Sequence, residues 1–182
     1  NNSTYSNVRT YKEFVSDPKF LQAMVAATFG YVVMAFLMTA TPISMHYVHK
    51  LSVDKVGLVI QFHVLGMFLP SLFTGNLIKR FGFSNIMYMG VFFYALTISL
   101  SLFEPTFINY FASLIFLGIG WNFLYISGTS LLVTTYNEQE KFKAQGFNDL
   151  IVFSATAIGS LSAGILISLL SWEIVNFMCI PF

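Results

Sequence analysis

Two ionisable side chains lie within or at the edge of long apolar stretches of the sequence, His63 and Asp149. A charge in an apolar medium is costly, so such residues are functional candidates by default. His63 could contact a proton or a small molecule, or it could be a neutral imidazole that donates to a carbonyl of a neighbouring helix. Asp149 could couple binding to an ion, or it could be an acid in the first turn of a helix, where the helix dipole favours it.

A narrow stripe of small or polar residues runs along the first apolar stretch, at alternating spacings of four and three: Thr28, Val32, Ala35, Thr39, Pro42 and His46. This spacing predicts one helix face that is directed at protein or at a cavity, and Thr39 lies on it. Pro42 removes a backbone hydrogen bond and frees a carbonyl, which suits a helix that bends as a gate. His46 and His49 could share a metal, but no third ligand is evident, so no metal site is predicted.

Motifs of catalysis are missing from the sequence. It contains no G-x-S-x-G, no H-E-x-x-H and no phosphate-binding loop. We therefore expect neither an enzyme nor a cofactor, and no catalytic residue is assigned.

The elements that carry these residues follow from the composition of the chain. Of its 182 residues, 56% are apolar and 9% are charged, whereas soluble domains have about 25% charged residues. So few charges cannot cover a water-exposed surface, which indicates that lipid replaces water around the protein. The formal net charge of +1 also argues against nucleic acid as a partner, since that needs a basic face.

Stretches without Asp, Glu, Lys or Arg divide the chain, and each is long enough for a membrane-spanning helix of about 20 residues. We predict an all-α, polytopic transmembrane bundle at 20–182, preceded by a tail or linker at 1–19. The predicted spans are 20–45, 56–78, 83–103, 107–133 and 145–170, with a sixth, incomplete one at 171–182.

Basic residues predict the orientation of the bundle. Seven of the nine Lys and Arg lie in the N-terminal tail and in the loops at 79–82 and 134–144, and the other two lie on the opposite side. Positive residues favour the cytoplasmic face. We therefore expect a cytoplasmic N-terminal tail, in an integral protein of the bacterial inner (plasma) membrane.

A short loop motif connects the second and third predicted spans. Gly75, Leu77, Arg80 and Gly82 match the G-x-L-a-D-r-x-G pattern, but Lys79 stands where the acid is expected. This segment resembles the cytoplasmic loop motif of major facilitator superfamily transporters, which recurs in both halves of that fold. Because the motif is often degraded in the second half, the departure at Lys79 favours the C-terminal half.

Three further segments agree in order with that half. Thr39–Pro42 resembles its Pro-broken seventh helix, 118–123 resembles the tenth, and 145–149 resembles the start of the eleventh. The resemblance implies helices seven to twelve, with the last one truncated, and a partner N-terminal six-helix half that is absent from this chain. It implies that Asp149 acts as a gate toward that half.

The resemblance also implies which residues meet a solute. Helix ten lines the central cavity in the family, and Gly118, Asn122, Tyr125 and Thr129 share one face of it here. Asn122, Trp121 and Tyr125 are therefore the expected substrate contacts, together with the candidates His63 and Thr39. The alternative for Asn122 is a hydrogen bond to a neighbouring helix.

The function implied by the resemblance is secondary transport of a small organic solute by alternating access, with proton coupling as an option. The other hypothesis is a non-transporting membrane protein, a sensor or an assembly subunit, that has a transporter-like fold. A polar, cavity-lining stripe on three helices favours transport.

Overall fold

The computed structural model describes residues 8–179, and these form a bundle of helices without a strand. The prediction of an all-α helical bundle is confirmed. The elements are α1 (Tyr11–Ser16), α2 (Pro18–Ile43) with a π-helical extension (Ser44–Val48), α3 (Val53–Phe68), α4 (Ser71–Phe81), α5 (Phe83–Leu100), α6 (Phe107–Val133), α7 (Lys141–Leu169) and α8 (Trp172–Phe177).

Five of these helical segments are long and apolar enough to cross a membrane: Pro18–Val48, Val53–Phe81, Phe83–Leu100, Phe107–Val133 and Lys141–Leu169. Consecutive segments run in opposite directions. The α4–α5 turn and the α6–α7 loop therefore lie at the same end of the bundle as α1, and we call this end the basic end because most Lys and Arg lie there.

The observed helices differ from the predicted spans by a few residues at several ends, and two differences are larger. The segment predicted as one helix, 56–78, is divided into α3 and α4 by Leu69 and Pro70, since proline has no N–H to continue the helix. The helix predicted at 145–170 begins four residues earlier, at Lys141. Of the predicted sixth span, α8 is the helical part, and residues 180–182 lie outside the described part of the chain.

Local signals explain several of the helix ends. Asp17 accepts hydrogen bonds from the backbone N–H of Lys19 and Phe20, at 2.9 and 3.4 Å, which caps α2. Thr106 caps α6 in the same way. Gly82 ends α4 with φ = 83°, a left-handed conformation that glycine adopts without a steric penalty.

Helix α6 is the centre of the bundle and packs against α2, α3 and α5. Three glycines allow the close approach. A Cβ on Gly118 would lie 2.5 Å from the carbonyl oxygen of His63 in α3, and one on Gly120 would lie 2.5 Å from the ring of Tyr94 in α5. Gly128 meets the backbone of α2 at a similarly short distance. Small residues of this kind let membrane helices pack backbone against backbone.

An ion pair closes the basic end, and we call it the Arg9–Glu140 latch. The backbone N–H and the guanidinium of Arg9 both donate to the Glu140 carboxylate, at 2.9–3.1 Å. The guanidinium also donates to the carbonyl of Thr135 and contacts Asp17 at 3.3 Å, and Lys143 donates to the Arg9 carbonyl. The latch therefore joins the segment before α1 to the start of α7.

The latch has a defined electrostatic consequence. Glu140 is only 3% exposed, and hydrogen bonds from the Arg9 side chain lower the pKa of Glu140 to about 2 from 4.5. The same hydrogen bonds raise the pKa of Arg9. Because the folded-state pKa of Glu140 is depressed, its stabilising contribution is complete above about 4.5 and is lost as the pH falls toward 2.

We expect Gly118→Ala to lower the free energy of unfolding by about 2 kcal/mol, since the new methyl group must displace the backbone of α3. Thermal unfolding of the detergent-solubilised protein measures the change. Gly146→Ala is the matched control, because no described atom outside its own helix backbone lies within 4 Å of its added Cβ. Equal melting temperatures for the two variants would contradict the close packing of α6 on α3.

We expect Glu140→Gln to cost about 2 kcal/mol at pH 7, since the charged partner of Arg9 is lost. The difference from wild type should shrink as the pH falls from 4.5 toward 2, because Glu140 then becomes protonated. Unfolding curves across this range test the effect. Glu138→Gln is the control, because that side chain is 91% exposed and its ion pair with Lys141 is long, at 3.9 Å. A pH-independent difference between Glu140→Gln and wild type would refute the role of the Glu140 charge.

Candidate functional site

Five rings from four helices form an aromatic cluster: Tyr31, Phe68, Trp121, Tyr125 and Phe153. Trp121 and Tyr125 stack at 5.0 Å with their planes 16° apart. Tyr31 meets both rings edge-on, at 5.4 and 5.0 Å. Phe153 of α7 contacts Tyr31 at 5.7 Å, and Phe68 of α3 contacts Trp121 at 6.1 Å. The cluster thus extends across α7, α2, α6 and the end of α3.

Exposure changes across this aromatic cluster. Trp121 at its base is 4% exposed, whereas Phe153 and Phe68 at its two ends are 50% and 59% exposed. The indole N–H of Trp121 has no hydrogen-bond partner among the described residues. The cluster therefore presents exposed ring surface at its two ends, Phe153 and Phe68, while the Trp121 ring and its N–H are buried at the base.

Such a site suits binding rather than bond-breaking. Aromatic rings bind other flat rings through offset stacking and edge-to-face contacts, and the cluster itself contains no charged side chain. Asp149 lies one turn before Phe153 on the same face of α7, is exposed, and accepts a hydrogen bond from Asn148 at 3.1 Å. An acid is therefore placed beside the cluster rather than within it.

Asn122, an expected substrate contact, is fully buried and faces the break between α3 and α4. Its Nδ2 donates to the Met67 carbonyl at 2.7 Å and to the Ser71 hydroxyl at 2.5 Å. Its Oδ1 accepts from the Thr74 hydroxyl at 2.6 Å, or that hydroxyl donates to the Pro70 carbonyl at 2.8 Å. The geometry is that of the alternative role, a hydrogen bond to a neighbouring helix, and no polar atom of Asn122 is available to a solute here.

His63 is also buried between α3 and α6, with 1% of its surface exposed. Its Nδ1 lies 2.8 Å from the carbonyl oxygen of Leu114, so Nδ1 carries the hydrogen and donates it. Its Nε2 has no partner among the described residues. This is the arrangement of a neutral imidazole that joins two helices, which was the alternative for His63.

The side chain of Thr39 in α2 faces α7. Its hydroxyl is 2.8 Å from the Ser160 hydroxyl and donates to the carbonyl of Ala35. Pro42 is one turn further along, just before α2 continues as the π-helical extension. The polar stripe of the first span thus faces protein at Thr39, and it is separate from the aromatic cluster.

The loop-motif residues lie at the basic end. Lys79 and Arg80 are exposed, and neither forms an ion pair within the part of the chain that the structure describes. The Arg80 guanidinium lies 5.2 Å from the ring of Phe81. Apart from chain neighbours and the backbone of their own helix, no described atom lies within 4 Å of a Cβ added to Gly75 or to Gly82. The exposed Lys79 and Arg80 side chains are placed where they can contact another surface.

Two further features bear on the site predictions. Within residues 8–179, no group of three His, Cys, Asp or Glu is placed to hold a metal ion. Tyr31, Phe68 and Phe153 of the aromatic cluster are not among the site residues predicted from the sequence. Tyr31 lies three residues after Thr28 in the polar stripe, which was an available signal, but only the packing of the helices brings these rings to Trp121.

A model of the Major Facilitator Superfamily matches residues 23–182 of the chain. Among curated proteins, the riboflavin transporter RfnT of Brucella anthropi is 39% identical over 180 residues, which cover 99% of this chain and 45% of the relative. The uncharacterized MFS-type transporters YdeG and YddS of Bacillus subtilis are 36% and 31% identical, over 75% and 80% of the chain and 32% and 34% of their own lengths. The chain thus spans less than half of each relative. No solved structure matches the chain.

Proposed function

The chain belongs to the Major Facilitator Superfamily, a family of transporters rather than enzymes, and from this premise we propose that it is the C-terminal half of a secondary transporter. Its partner is then an N-terminal six-helix half, and a small organic solute crosses between the two halves by alternating access. The proposal is supported by a relative named as a transporter that aligns with 99% of the chain over 45% of its own length.

The solute we propose is a planar heteroaromatic molecule of the riboflavin type. The observation that carries this proposal is the stacked Trp121–Tyr125 pair with Tyr31 edge-on. The ring system of a flavin is flat and can form stacking and edge-to-face contacts with such rings. The name of the 39% identical relative, a riboflavin transporter, supports the same class of solute.

The proposed gate consists of the irregular end of α2 at Pro42 and the exposed basic side chains Lys79 and Arg80. Pro42 ends the regular part of α2, so this helix has a point at which it can bend. At the basic end, Lys79 and Arg80 are exposed beside Gly75 and Gly82. They are suited to meet acidic groups of the N-terminal half when this end closes.

Coupling to protons is part of the proposal, and Asp149 is its proposed carrier. It is an exposed carboxylate on the α7 face that also carries Phe153 of the aromatic cluster. A proton taken up there would change the charge next to the bound solute. His63 is a less suitable carrier because it is buried and bonded to Leu114.

The location proposed is the bacterial inner membrane with the basic end in the cytoplasm. The positive-inside distribution supports this orientation. The Arg9–Glu140 latch then lies at the cytoplasmic surface.

We expect Trp121→Ala and Tyr125→Ala each to weaken riboflavin binding about fivefold, since a stacked aromatic contact contributes about 1 kcal/mol beyond its buried area. Quenching of flavin fluorescence by the purified full-length protein measures the affinity. Phe92→Ala is the matched control, because this ring is 59% exposed on α5 and contacts Phe93 outside the cluster.

The choice of competitor separates ring recognition from other binding. Lumiflavin, which keeps the ring system but lacks the polyol chain, should compete with riboflavin, and ribitol should not. Competition by ribitol alone would contradict the proposed solute class. Riboflavin binding without any flux into proteoliposomes would instead favour the sensor or assembly-subunit hypothesis.

We expect Asp149→Asn to abolish accumulation driven by a pH gradient while solute exchange continues, because exchange needs no net proton movement. Uptake and counterflow in proteoliposomes made with the full-length protein measure the two activities. Glu138→Gln serves as the control, since Glu138 is an exposed acid at the basic end. Unchanged gradient-driven accumulation in Asp149→Asn would remove Asp149 from the mechanism.

A further inference from the structure

The break in the second predicted span leaves several carbonyls of α3 without their usual backbone partners, those of Gly66 and Met67 among them. Pro70 has no N–H, and the N–H groups of Phe73 and Thr74 both bond to the Pro70 carbonyl at 2.9 Å. Among the described backbone bonds, none runs from the Ser71 N–H to the Met67 carbonyl, which is the bond an unbroken helix would form. The Met67 carbonyl is therefore free to accept from a side chain.

The side chain that supplies the missing hydrogen bond is Asn122 of α6. Its one amide group contacts both sides of the break, since it donates to the Met67 carbonyl before the break and to the Ser71 hydroxyl after it. It also accepts from Thr74, one turn into α4. All three partners are more than 45 residues away along the chain, so this is a tertiary contact.

The environment makes this contact hard to replace. Asn122 is 0% exposed, as is Thr74. Leaving a buried donor or acceptor unpaired costs its full desolvation energy, and it costs more in a membrane than at a surface.

The break is connected to the aromatic cluster through neighbouring residues. Met67 precedes Phe68, Trp121 precedes Asn122, and the rings of Phe68 and Trp121 lie 6.1 Å apart. One turn earlier in α6, a Cβ on Gly118 would lie 2.9 Å from the Met67 N. A change in the angle of the break would therefore move Phe68 relative to Trp121.

We propose that Asn122 is a positioning residue: it holds the break between α3 and α4 at one angle and so places Phe68 against Trp121. We call these hydrogen bonds from Asn122 to Met67, Ser71 and Thr74 the clamp, and the inference that they hold the break depends on no solute. Its consequence for solute binding rests on the proposed function. The second span thus has a possible hinge at Pro70, and the amide of Asn122 restrains it.

Hydrogen exchange in the full-length protein tests the clamp without any solute. In Asn122→Ala, we expect the amides of segment 66–74 to exchange about tenfold faster, the change that one lost buried hydrogen bond produces. Ser127→Ala is the matched control: Ser127 lies on the same helix, is equally buried and has no hydrogen-bond partner for its hydroxyl among the described residues. Wild-type exchange in Asn122→Ala would overturn the proposal.

A double variant separates clamping from a general packing role. Pro70→Ala restores an N–H that can bond to the Gly66 carbonyl, and a helix that continues through this point lets the Ser71 N–H bond to the Met67 carbonyl. In that background we expect Asn122→Ala to raise exchange by about twofold or less, because residues in one network are not additive. An undiminished effect would mean that Asn122 supports packing and does not clamp the break, which would also overturn the proposal.

Riboflavin binding distinguishes failure of the clamp from failure of the proposed function. If wild-type protein does not quench flavin fluorescence, the solute class is wrong, but the exchange result still decides the clamp. If Asn122→Ala does not fold, Thr74→Val decides it, because it removes one link only. We expect about threefold faster exchange in segment 66–74 for Thr74→Val, and wild-type exchange there would refute the clamp.

Discussion

The close approach of α6 to its neighbours is the constraint on which the rest of the structure depends. Gly118, Gly120 and Gly128 bring α3, α5 and α2 so near that a methyl group would collide with main-chain or ring atoms. In a membrane, helix packing gains little from the hydrophobic effect, so van der Waals contact of this kind holds helices together. Because three helices meet one, the position of α6 determines the position of the others.

The candidate site residues Trp121, Asn122 and Tyr125 lie on that same helix, between the packing glycines Gly120 and Gly128. Asn122 lies between Trp121 and Tyr125 in the sequence. About one turn of α6 therefore supplies two rings to the aromatic cluster and one amide to the helix break. The consequence is a division of roles. The Tyr125 ring is half-buried and the Trp121 ring is buried at the base of the cluster. The Asn122 amide faces inward, where every polar atom it has is satisfied by protein.

Charges are used in a different place and for a different purpose. The Arg9–Glu140 latch lies at the basic end, where it fastens the segment before α1 to the start of α7. Its two groups are joined by several hydrogen bonds, which compensate for the loss of water around Glu140. Lys79 and Arg80 lie at the same end without ion-pair partners in residues 8–179. The charges of the Arg9–Glu140 latch thus join two parts of this chain, whereas Lys79 and Arg80 are available to a neighbouring surface.

The sequence alone determined that this is an all-α membrane bundle, because a run of 20 or more apolar residues has few other stable solutions, and the family follows from a loop motif that is local in the chain. The same composition could not reveal that the second span breaks at Pro70, because a proline is tolerated in a membrane helix whenever another group satisfies the freed carbonyl. Here Asn122, which is 52 residues from Pro70, satisfies the carbonyl of Met67 beside the break. Only the tertiary structure decided this pairing, and only it brought Tyr31 to Trp121, because side-chain spacing defines the face of a helix but not which helix that face will meet.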